Sequence, residues 1–201
     1  MNELLENFKA HVIEKSKNPD FIHHQWFVKY HLNIVEQIAL ELCEVYTEAD
    51  RDIVFMLVWL HDYGKIIDFD DQYEVTLSLG RKKLLELGFD QVFVNKVIGY
   101  VEIMDQKESI DISKTAIEIQ IISSADGCSH LVGPFFKFWW YENSHKDVDS
   151  LVEDNVYKLL KDWNRKIVFP EARESFTERH EIMMEREGNF SEKYIKQKRS
   201  D

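Results

Sequence analysis

Long apolar runs, cysteine, proline and glycine are all scarce in this chain, and each shortage excludes something. The longest apolar stretches, such as Ile53 to Leu60, fall well short of the roughly 20 residues that span a bilayer as a helix. A membrane-spanning protein is disfavoured. The two cysteines, Cys43 and Cys128, lie in apolar helical stretches without metal-type spacing, so buried, reduced thiols and a reducing compartment are expected. The opening MNELLENFKAHVIEKSK lacks the basic start and apolar run of a signal peptide, and a cytoplasmic location is expected. Basic residues are also in short supply: 25 Lys and Arg face 37 Asp and Glu, a net charge of −12. That balance works against a nucleic acid polymer, whose backbone demands clustered cations. It does not exclude a small phosphorylated molecule, because a local cation can dominate the field inside a cleft.

What is present is apolar content, 44% of 201 residues, enough for the core of one domain without staples. With seven glycines, three prolines and apolar residues recurring at three and four, the chain reads as all-α, a single-domain helical bundle. A first helix is predicted at about Glu3 to Lys15. Asn18-Pro19 then starts a second, running to about Tyr46. Its inner stripe is His24, Val28, His31, Val35, Ile38 and Leu42, spaced as one helical face.

The stretch from Asp50 to Lys65 organises the rest. Ile53 to Leu60 leaves no polar face, so it reads as a helix buried on all sides. Asp50 caps its start, and Gly64 is expected to stop it in the left-handed conformation. His61 and Asp62 sit where it ends, and a carboxylate in such a place must be satisfied. The acidic run Asp68, Asp70, Asp71 reads as a solvated loop. Helices follow at about Gln72 to Leu87 and, capped by Asp90, to about Met104. From about Ser113 another helix places Ile119, Ile122 and Asp126 on one face, with small Ser123 and Ser124 beside them.

Gly133-Pro134 breaks the chain before PFFKFWWY, an aromatic segment that reads mainly as core. One wall of a pocket, with Lys137 reaching a phosphate, is the alternative. Helices at about Asp149 to Ile167, with Val152, Val156, Leu159, Leu160, Trp163 and Ile167 inward, and at Glu171 to Glu187 complete the domain. The last residues, SEKYIKQKRSD, read as a flexible tail.

His31, the pair His61-Asp62, and Asp126 follow the order His, His-Asp, Asp, and the chain thereby resembles the HD superfamily of metal-dependent phosphohydrolases. YHLNIVEQIA looks like that family's first-histidine helix, WLHDYGK like its central motif and SSADGCSHL like its final-aspartate helix, covering roughly residues 20 to 132. The ending KIVFPEARESFTERHEIMMEREG also looks like the tail of uncharacterised bacterial HD proteins. The resemblance implies a helical bundle of the HD type and one divalent metal ion held by His31, His61, Asp62 and Asp126. Mixed imidazole and carboxylate ligands suit Mn, Fe, Co, Ni or Zn, and Mg less well. Two further histidines that hold a second metal in larger members are missing: no histidine lies between His61 and His130. Glu102 falls near such a position. The Glu-Asp pair of members resembling guanosine tetraphosphate hydrolases is also absent.

The expected function is hydrolysis of a phosphate ester or anhydride of a small molecule, foremost a nucleotide, with Asp62 and Lys65 as catalytic residues. Lys65, His24, Glu102 and His130 are the expected substrate-binding groups. His130, one turn beyond Asp126, is also the one imidazole able to alter the metal count. For Lys65 the competing role is a cation at a helix end, and for Glu102 a solvated helix position. A non-catalytic metal- or nucleotide-binding sensor domain is the alternative, and a two-iron oxygenase lacks its histidines. The expected partner is a small phosphorylated substrate, with a homodimer left open.

Overall fold

A computed structural model describes residues 1–106, 109–190 and 192. Among these no strand occurs, and ten α-helices follow one another. They are α1 (Asn2–Lys15), α2 (Asn33–Val45), α3 (Arg51–Leu60), α4 (Gln72–Val75), α5 (Arg81–Glu86), α6 (Gln91–Asp105), α7 (Ile117–Ser129), α8 (Phe135–Glu142), α9 (Val148–Lys161) and α10 (Pro170–Arg186). The all-α expectation is met. The predicted tail, apart from Glu192, lies outside the described residues.

Helix α3 is the hub. The Asp50 carboxylate accepts from the amides of Asp52 (3.1 Å) and Ile53 (3.2 Å), satisfying two of the orphan donors at the helix start. Seven of its residues, Ile53, Val54, Met56, Leu57, Val58, Trp59 and Leu60, are buried, each worth about 1.5–3 kcal/mol of apolar burial. Helix α2 packs along α7 and against α3, while α1 and α6 lie against other faces of α3. Polar groups at the end of α3 are thereby enclosed by α2 and α7.

The predicted second helix is interrupted. Asn18 Oδ1 accepts from the Asp20 amide (3.1 Å), but this closes a local turn, and turns continue to a π-helical turn at Val28–Leu32 that leads into α2. Gly64 is not left-handed; the positive-φ glycines are Gly88, Gly133 and Gly188. Its requirement is one of space. A Cβ there would lie 1.9 Å from the Gln72 carbonyl oxygen, so only glycine lets the turn after α3 lie against α4.

Of the predicted inner face of α9, Leu159 and Ile167 are buried and Val156 and Trp163 pack partly buried against the core, whereas Leu160 is 41% exposed; Leu151 and Asn155 are buried as well. A π-helical turn, Asp162–Lys166, follows α9. Asp162 and Lys166, at the two ends of this turn, are buried. Close approach to α7 is possible because Gly127 has no side chain: a Cβ would meet Ile167 at 2.9 Å.

Candidate metal centre

His31 sits in the π-helical turn before α2 and is 3% exposed. Its Nδ1 lies 3.1 Å from Ser129 Oγ, and that hydroxyl donates to the Asp126 carbonyl (2.7 Å). With its single proton committed, Ser129 can only accept from the ring, so Nδ1 carries the imidazole proton and Nε2 presents a lone pair. His61 caps α3. Its Nδ1 lies 2.9 Å from the Val58 carbonyl and 3.2 Å from that of Leu57; carbonyls only accept, so here too Nε2 is unprotonated. That Nε2 atom is buried and has no hydrogen-bond partner among the described residues.

The two carboxylates face these lone pairs. Asp62 Oδ2 lies 3.5 Å from His31 Nε2 and 3.6 Å from His61 Nε2, and Asp126 Oδ1 lies 3.8 Å from His31 Nε2. These separations are long for hydrogen bonds. Two donors bound to one first-row ion at about 2.1 Å are about 3.0–3.4 Å apart, so a small contraction would seat a cation. Electron-pair donors that crowd one point with no proton between them fit a divalent metal, and an orphaned buried imidazole nitrogen is otherwise costly.

Lysines neutralise the carboxylates from outside. Lys65 Nζ donates to Asp62 Oδ2 at 2.7 Å, and Lys166 Nζ donates to Asp126 Oδ2 at 2.6 Å. Burial opposes ionisation of Asp62, but Lys65, His61 and His31 outweigh it and hold the carboxyl well below its ordinary value. Burial likewise opposes ionisation of Asp126, and Lys166 leads the groups that overcome it. Burial would strip the proton from Lys166; Asp126 and Asp162 prevail and raise its pKa above that of an ordinary lysine. For His31 burial wins and lowers the pKa. His130 is pushed down to about 3, by burial first and then by Lys158. Both imidazoles are therefore neutral near pH 7, as metal ligands must be.

A cleft of about 280 Å³ opens over this cluster. His31, His61, Asp62, Lys65, Asp126 and His130 all line it. His24 and Glu102 are not among its lining residues. His24 Nδ1 instead contacts the Phe21 carbonyl at 2.8 Å, and Glu102 is exposed. Their places are taken by neighbours, His23 and Asp105. The aromatic segment supplies a wall as well as core: Phe135 and Trp139 face the cleft, Phe136 is buried and Lys137 points to solvent. The wall is anchored by Glu142, which accepts from Trp26 Nε1 (2.6 Å) and lies 2.8 Å from His23 Nδ1. Trp26 also stacks on Phe138.

Sequence reasoning missed Lys158, Asp162 and Lys166. Their spacing of four continues the face of Leu151 and Asn155, a signal hidden because charged residues were assigned outward. No family model, no curated protein and no solved structure matches this chain. Any function therefore has to be inferred from the site itself.

Proposed function

We propose that the protein is a metal-dependent phosphohydrolase of the HD type that cleaves a phosphate ester or anhydride of a small molecule, foremost a nucleotide. The observation that carries this reading is the bare, buried Nε2 of His61, aimed together with His31 Nε2 at Asp62 Oδ2. His31, His61, Asp62 and Asp126 would hold the ion, which at such a centre supplies Lewis acidity, lowering the pKa of water and polarising a phosphoryl oxygen.

The protein's own groups divide the remaining tasks. Lys65, at the cleft, places an ammonium beside the reacting region and neutralises phosphate charge. Lys161 also lines the cleft, which favours an anion despite the net charge of −12. Phe69, Tyr73 and Trp139 present aromatic surface to the same cleft and supply stacking for a base or sugar. Ser129 and the carbonyls of Leu57 and Val58 keep the two imidazoles in the tautomer that the site requires.

Release of phosphate or pyrophosphate across a panel of nucleotides, with Mn, Co, Ni or Mg, tests the proposal. Turnover on at least one compound, lost with chelator and in His61→Ala, is the expected result. Metal bound without turnover on the panel would instead assign the domain to binding or sensing.

A further inference from the structure

One more imidazole, that of His130 at the end of α7, reaches the cluster. His130 is 4% exposed, and its ring stacks on that of His31, with centroids 5.3 Å apart and planes 3° from parallel. Its Nε2 lies 3.7 Å from Asp126 Oδ1, the same oxygen that faces His31 Nε2. On the far side of the ring, Nδ1 lies 2.8 Å from Asp162 Oδ2. Lys158 Nζ approaches that nitrogen at 3.1 Å and also donates to the same carboxylate oxygen. An ionised carboxylate takes both protons, so Nδ1 is a donor and Nε2 presents its lone pair to Asp126 and His31. Lys166 Nζ lies 3.1 Å from Asp162 Oδ1, and fixes the other half of the carboxylate.

Resting on the metal-centre reading above, we propose that His130 is a fifth protein ligand of the same ion, with Asp162 as its positioning residue. The fifth ligand then comes from the end of α7, one turn beyond Asp126, and is held by a residue of the turn after α9. The cluster can be divided into His31, His61 and Asp62 on one side and His31, Asp126 and His130 on the other. Both halves use His31 Nε2, which has a single lone pair, and His31 Nδ1 is occupied by Ser129. The halves therefore describe one ion and not two. A carboxylate behind a ligating imidazole fixes its orientation and raises its basicity, and Asp162 is placed for that role.

The test measures affinity for Co²⁺ or Mn²⁺ by competition with a chromophoric chelator, and records the visible spectrum of the Co²⁺ form. Wild type, His61→Ala, His130→Gln and Asp162→Asn are compared, with far-UV circular dichroism as the check on folding. We expect His130→Gln to weaken binding by at least about 10–100-fold and to alter the Co²⁺ spectrum, and Asp162→Asn to weaken it by about 10-fold while keeping the spectral type. If one variant loses its fold, the other still decides. Wild-type affinity and an unchanged spectrum in a folded His130→Gln, or wild-type affinity in a folded Asp162→Asn, would overturn the proposal while leaving the four-ligand centre intact if His61→Ala has lost the ion. Absence of tight binding by the wild type would overturn both.

Discussion

Lys166 donates to Asp126 at 2.6 Å across 40 positions of sequence, with the two side chains 6% and 13% exposed. This buried pair joins the turn after α9 to the end of α7. It also leaves Asp126 Oδ1 turned toward His31 and His130. Removing one member of such a pair strands the other, at a cost of about 3–5 kcal/mol.

Lys166→Met is accordingly expected to destabilise the metal-free protein by about 3 kcal/mol, because Asp126 loses its lysine partner and Asp162 keeps only Lys158. Urea unfolding followed by circular dichroism checks this. A midpoint equal to that of wild type would show that the pair contributes little.

Gly64→Ala is expected to be more damaging than a solvent-exposed Gly→Ala change. The added carbon would meet the Gln72 carbonyl oxygen at 1.9 Å and Thr76 Oγ1 at 2.6 Å, and Thr76 Oγ1 also accepts from the Gly64 amide. Backbone must move, taking Asp62 and Lys65 with it. A loss of at least about 2 kcal/mol together with weakened metal binding is the expected outcome of parallel urea and metal titrations. A neutral substitution would mean that the turn is not pinned against α4.

For Lys65→Ala the expectation is lower turnover without weaker metal binding. Its ammonium holds Asp62 Oδ2, the oxygen that faces the two imidazoles, so it competes with a cation there. Removal should leave metal affinity unchanged or tighter while slowing hydrolysis by about 10-fold or more, as loss of a charge stabilising the phosphoryl group does. Affinity and steady-state kinetics measured together separate these effects. Unchanged rates would return Lys65 to a purely structural role at the helix end.

The metal-free protein should lose stability as pH falls below about 6.5. His31 and His130 titrate below the ordinary histidine value in the fold, so between the two values the unfolded chain binds more protons. The contribution of these two histidines is therefore fully present above about 6.5 and declines with falling pH, by up to about 1.4 kcal/mol per pH unit for each. Asp62 and Asp126, held below their ordinary values, add a loss of the same sign once the pH passes below about 4. Urea midpoints in the presence of chelator between about pH 5 and about pH 8 test this. A flat profile would mean that the two rings are not held neutral by the fold.

Much of this was legible in residue order. The apolar run from Ile53 to Leu60, capped by Asp50, specified the buried helix, and the stripe of Val35, Ile38 and Leu42 specified its neighbour. Inward placement of His31 and Asp126 followed from the same periodicity. The structure brings His61 and Asp62 together beside His31, and Asp126 close to His31 as well. Position before α2 was less legible, since turns replace a helix there and put His23, not His24, at the cleft. The π-helical turn after α9 was illegible for a related reason: periodicity assumes a constant 3.6 residues per turn. Asp162 and Lys166 were hidden because each charge is made tolerable indoors only by the other and by Asp126 and Lys158, partners distant in sequence or unremarkable within it.

Titration calorimetry of chelator-treated protein with Mn²⁺ or Co²⁺, run on wild type and on His61→Ala, tests the central claim most directly. The account predicts one ion per chain for wild type, because both groups of donors include His31, whose Nε2 has a single lone pair. It predicts loss of that binding in a folded His61→Ala. Two tight ions per chain, no binding by the wild type, or equal binding by the variant would contradict it.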